Sequence, residues 1–186
     1  MSRKAKTIIT TILLVMALFQ GPYFYYFTSG FIKLIFLLPF AIVGSLLTII
    51  LFLNLIIHRS TNSRYHVIGV AVACTVGFFT SFGSGMEFLD FNLRMGEREK
   101  IVNEVKNGPV KSGNIRDDSI LPLANDGDIS FTKNPNGTVY VEFLIDRGFL
   151  DHYSSFVYTN DRQEIGKEGF VSTVTKMKDN WYKISY

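Results

Sequence analysis

The side chains best able to move protons near neutral pH, or to hold a metal, are the three histidines His58, His66 and His152. They are scattered. His58 and His66 fall in a loop between two apolar runs, and His152 lies far downstream, so the three are not expected to share a metal. There is no HExxH, no Cys/His cluster and no phosphate-cradling glycine loop. Cys74 is the single cysteine and sits inside an apolar run, where a free thiol behaves as a small packing residue. No disulfide within the chain is possible. Asn125-Asp126-Gly127-Asp128 is the most calcium-like stretch, but the further oxygen ligands a calcium loop needs do not follow it, which leaves a plain turn. Asp151 and His152 are adjacent, and neighbours on extended chain point to opposite faces. Asp126, Asp128, Asp151 and His152 are the residues a membrane enzyme of unfamiliar type would have to use. No catalytic, cofactor-binding or metal-binding residue is assigned, no cofactor is expected, and the sequence leans away from an enzyme. Asn136-Gly137-Thr138 fits a glycosylation sequon, and a hairpin turn explains it equally well.

Residues 1–90 carry six Lys/Arg and two acids, whereas residues 91–186 carry thirteen and fourteen. The first part is suited to hydrocarbon and the second to water. The near-neutral second part has no cationic cluster of the kind nucleic acid requires, so no nucleic-acid partner is expected. A bilayer span needs about 20 mostly apolar residues. Three segments are expected to qualify, at about 7–27, 31–57 and 67–88. The first starts with Arg3, Lys4 and Lys6 and runs into Gly21-Pro22-Tyr23-Phe24-Tyr25-Tyr26. Those aromatics are poor cleavage residues and good interface anchors, which favours an uncleaved anchor. Pro39 is expected to kink the second span, and Asn54 either reaches the interface or bonds to a neighbouring helix. No acid or Arg lies near the middle of a span, which argues against a pump acting alone. Glu87 and Asp90 are expected at the outer end of span three, solvated by water or headgroups.

The third segment has the most specific pattern: Gly69, Ala73, Gly77, Ser81 and Gly85 recur every four residues. Such a face lets another backbone approach closely, whether from the same chain, a second copy or another protein. Positive charges at the N-terminus and at Arg59 and Arg64 place those segments in the cytoplasm. Three crossings would then put the C-terminal part on the far side, extracytoplasmic, with the anchor in the plasma or inner membrane of a bacterial source.

Residues 91–186 are expected to form a small α+β domain: one helix over about 91–106, packed on an antiparallel sheet of four or five strands. Leu93, Ile101, Val102 and Val105 give its apolar stripe. Asn107-Gly108-Pro109 ends it, with Gly108 expected as a left-handed cap. Residues 110–118 read as loop and 120–123 as an apolar plug. Alternation predicts strands over 128–132 and 138–145 around the turn 134–137; 154–159 reads as a third strand, and 170–177 with 181–185 as a second hairpin around Lys178-Asp179-Asn180. The expected core is Ile129, Phe131, Val139, Val141, Phe143, Ile145, Phe156, Tyr158, Val171, Val174, Trp181 and Ile184. A membrane helix that leads into a soluble helix and an antiparallel meander is similar in outline to type IV pilins, although three spans and the lack of a processing signature set this chain apart; the likeness is one of architecture and carries no function.

The reading that best fits is a membrane-anchored, non-enzymatic binding or structural protein. It would present its extracytoplasmic domain to a protein partner, as an accessory subunit, an envelope sensor or an immunity-type protein. Alternatives are a channel or transport component self-associating through the face of span three, or an unrecognised membrane enzyme.

Overall fold

A computed structural model describes residues 2–28, 30–58, 61–81, 84–147, 153–167 and 171–186. The chain divides into two compact units, Met1–Met86 and Glu87–Tyr186.

The first unit is helical: α1 (Arg3–Phe27), α2 (Gly30–His58) and α3 (Thr61–Ser81). Ser2 caps α1 by accepting the Ala5 N–H at 3.2 Å, and Thr28 closes its end by donating to the Phe24 carbonyl at 2.8 Å. Pro22 and Pro39 both lie inside continuous helices. Leu13, Ala17, Leu51, Val70 and Ala73 form a small core, while Leu18, Phe19, Ile42, Leu46 and Ile50 are exposed. An apolar outer surface on a helical unit is what hydrocarbon, not water, favours. Among the described residues, α1 and the Ile35–Asn54 stretch of α2 are long and apolar enough to cross a bilayer. The expected third span over 67–88 is not one helix: α3 stops at Ser81, and a separate helix, α4 (Ser84–Leu93), follows positions 82 and 83, which lie outside the described residues. His66 belongs to α3 and not to a loop, because α3 already begins at Thr61.

The second unit takes in α4 from Glu87 onward, α5 (Met95–Asn107) and six strands. These are β1 (Ser112–Arg116), β2 (Asp128–Lys133), β3 (Val139–Arg147), β4 (Tyr153–Thr159), β5 (Thr173–Lys178) and β6 (Trp181–Ser185), in the antiparallel order β1-β2-β3-β4-β6-β5. The expected four or five strands become six because Ser112–Arg116, read as loop, pairs along its length with Asp128–Thr132. The single expected helix is two, broken at Arg94, so Leu93 loses the phase of the stripe and is 79% exposed. Gly108 ends α5 without a left-handed turn: its φ is −77°, and its N–H bonds to the carbonyls of Glu104 and Val105 at 2.9 and 3.3 Å. Pro109 then blocks continuation.

The 134–137 turn closes the β2–β3 hairpin, with Gly137 at φ +85° and the Asn134 N–H on the Thr138 carbonyl at 2.9 Å. One sheet face carries Ile129, Phe131, Val139, Val141, Phe143, Ile145, Phe156, Tyr158 and Trp181, packed with Phe91, Val102, Val105 and Leu123. The opposite face buries Tyr140, Val157 and Ile184, with Val171 half-buried beside them. The expectation fails for Val174, exposed on edge strand β5. Of the 120–123 plug, Leu123 is buried and Ile120 lies in solvent.

Candidate functional site

In the first unit the small residues of α3 face α1. A Cβ added at Gly69 would sit 2.7 Å from Thr10 Cγ2, and one at Gly77 would sit 2.3 Å from Gln20 Nε2 and 3.6 Å from Ala17 Cβ. Ala73 is buried between them. The side chain of Ser81 lies outside the described residues, and Gly85 belongs to α4, beyond the end of α3. The expected five-residue face is therefore not carried by one helix; Gly69 and Gly77 are the members that meet α1. Positions rise together along the two helices, Gly69 with Thr10 and Gly77 with Gln20, so α1 and α3 run parallel. His66 joins the same seam: its Nδ1 lies 3.1 Å from Thr10 Oγ1. That hydroxyl donates to the Lys6 carbonyl at 2.9 Å, which leaves it to accept from an Nδ1–H. A cleft of about 470 Å³ opens where α1, α2 and α3 meet, lined by Leu13, Gln20, Phe40, Gly44 and Gly77 among others. Asn54 Oδ1 has no hydrogen-bond partner among the described residues.

Gly77→Leu should therefore disrupt the α1–α3 seam, at a cost of about 1–3 kcal/mol of overpacking. Thermal unfolding of the full chain in mild detergent should shift down clearly. An unchanged midpoint would show that the two helices do not meet there.

In the second unit the polar chemistry is internal. Arg98 and Asp90 form an ion pair whose side chains are 1% and 2% exposed. The guanidinium also donates to the Asp90 carbonyl at 3.1 Å and the Leu123 carbonyl at 3.2 Å. It lies 4.8 Å from the Phe156 ring centroid, in the range of a cation–π contact. Its Nε has no acceptor among the described residues. Glu87 pairs with Lys183 and accepts from Ser154 at 3.4 Å. Glu87 and Asp90, expected to be solvated at a membrane surface, are instead buried in this unit, because α4 turns them onto the sheet. Arg98 escaped the sequence reading, although its spacing to Val102 and Val105 puts it on the apolar face of α5.

The acidic turn is a clasp. Asp117 accepts from the backbone of Leu123 at 2.7 Å and of Ser119 at 3.0 Å, and its own N–H bonds to the Gly127 carbonyl at 2.7 Å. Burial pushes the Asp117 carboxyl up, but those donors, the Ser119 hydroxyl and the Arg94 charge together hold it below the usual value. Gly127 has φ +77°, and a Cβ there would lie 2.3 Å from the Asp117 carbonyl, so the turn requires glycine. Asp128 is exposed, 3.7 Å from Arg116. The side chain of Asp126 and all of Asp151 and His152 lie outside the described residues. The four are not brought together by what is described. On the opposite sheet face Tyr186 donates to Glu142 at 3.2 Å and stacks on Tyr153 at 4.0 Å. Burial first, then the Glu142 charge, raises the Tyr186 hydroxyl well above its ordinary value. No group of three metal-ligating side chains occurs among the described residues. No protein-family model, curated protein or solved structure matches the chain.

Proposed function

We propose that this is a membrane-anchored binding protein whose helical unit crosses the bilayer three times and holds the α+β domain outside the cytoplasm, where it meets a protein partner as an accessory subunit, a sensor or an immunity-type protein. The observation that supports it is the parallel seam of α1 and α3. α1 is apolar enough to span, and α3 lies beside it from Gly69 to Gly77, at the depth of Thr10 to Gln20. A helix that runs parallel to a spanning helix at the same depth crosses in the same direction. With the basic N-terminus held inside, α3 then delivers the second unit to the far side. The burial of Asp90 and Arg98 in a packed core, as opposed to a cleft, fits a binding module better than an enzyme.

A sidedness reporter fused after Tyr186 tests this. A reporter active only outside the cytoplasm should give signal, and one active only inside should be silent. The reverse result would mean a cytoplasmic domain, either because one helix does not cross or because the positive charges do not set the orientation.

A further inference from the structure

The two edges of the sheet are unlike. An open edge strand is a template for another chain, and natural sheets blunt it with lysines and bulges. β5 is blunted in this way: it carries Lys176 and Lys178 and shifts register between them. β1 is blunted only at its end, by Arg116. Over Ser112-Gly113-Asn114-Ile115 it has no charge, no proline and no bulge, and its register with β2 is unbroken. The Lys133 N–H bonds to the Lys111 carbonyl and the Asp117 N–H to the Gly127 carbonyl. Antiparallel pairing alternates, so the backbone groups of positions 111, 113, 115 and 117 serve β2, and those of Ser112 and Asn114 point away from the sheet. Beside this edge a groove of about 280 Å³ runs between β1 and the end of α5, lined by Val105, Pro109, Gly113, Ile115 and Phe131.

We infer that β1 pairs with β1 of a second copy, antiparallel and centred on Asn114, joining two six-stranded sheets into one. The segment is complementary to itself in that register. Gly113 falls opposite the partner copy's Ile115, so a bare backbone position beside the Phe131 ring receives a branched side chain. Arg116 falls opposite the uncharged Ser112, so no like charges meet; Lys111 falls opposite Asp117, whose carboxylate stays bonded to Leu123 and Ser119 in its own loop. Asn114 meets Asn114, and each backbone N–H bonds to the other's carbonyl. Five residues make a short contact, but confinement of both copies to one bilayer raises their effective concentration. The inference deepens the anchored-binding reading by naming the partner, and the two fail separately. A monomer with its reporter outside would remove only the dimer. A dimer with its reporter inside would remove only the orientation.

The test uses the full chain in membranes, with Cys74→Ala so that one introduced thiol reports alone. In the proposed register the two Cα atoms of position 114 lie about 5.5 Å apart, inside disulfide reach. Mild oxidation of Asn114→Cys should give at least tenfold more covalent dimer than Thr175→Cys on the blunted edge. Asn114→Pro removes only the outward N–H and should convert a detergent-solubilised dimer to monomer with Trp181 fluorescence unchanged. If Asn114→Pro misfolds, the oxidation comparison decides. Cross-linking no better than the Thr175→Cys control, a dimer that survives Asn114→Pro while folded, or capture of the thiol introduced by Asn114→Cys by a different protein alone would each overturn the proposal.

Discussion

Arg98→Ala should destabilise the second unit by about 3–5 kcal/mol, the usual result of leaving one member of a buried ion pair without the other. Asp90 would be left without its cation in a core with almost no access to water, and the Leu123 carbonyl would lose the guanidinium as a donor. The loss of the stacked face on Phe156 adds to this. Trp181 is the chain's one tryptophan and is buried in the same core, so its fluorescence follows urea unfolding of this unit within the full chain. The midpoint should fall steeply in Arg98→Ala. Replacing both partners by apolar residues, Asp90→Leu with Arg98→Met, should recover most of the loss, because neither desolvated charge then remains. A single variant within about 1 kcal/mol of the parent, smaller than the loss of such a pair, would mean that water reaches Asp90.

Trp181→Ala should be of comparable size, about 3–5 kcal/mol for an aromatic truncated in a packed core. The indole meets Phe91, Phe143 and Tyr158 at centroid separations of 5.9, 5.8 and 5.5 Å. It also opens β6, the strand that joins β5 to the rest of the sheet. Without it, both β6 and β5 lose their hold. Pulse proteolysis across a urea series should show the midpoint collapse in Trp181→Ala and fall less in Trp181→Phe, which keeps a ring in the gap. Equal midpoints for the two variants would show that the ring contacts do not organise the core.

Local pattern carried much of this fold. The 134–137 turn cluster marked a hairpin because Gly137 supplies the positive φ that the turn requires. Trp181–Ser185 was legible as half of a hairpin around Lys178-Asp179-Asn180, and the inward positions of β2 and β3 by alternation. β1 was not legible: Ser112-Gly113-Asn114-Ile115-Arg116 has no alternation, and its strand geometry comes from partners that lie well downstream in sequence, such as Asp128. The insertion of β6 between β4 and β5 was hidden for the same reason, since consecutive strands need not be neighbours in space.

The sequence by itself determined the division into an apolar first half and a charged second half, the apolar character of α1 and α2, and the alternation of the strands. Each is written in side-chain type at short range, where the periods of 3.6 and 2 decide which face is apolar. Tertiary structure decided what the exceptions do. It ended α3 at Ser81, turned Gly69 and Gly77 onto α1, and drew Glu87, Asp90 and Arg98 into a core that their charges alone would not suggest. A buried charge is tolerable only where a partner and carbonyl acceptors meet it, and those come from other elements of the fold. For Arg98 they are Asp90 and Leu123, brought together only when α4, α5 and the sheet have packed.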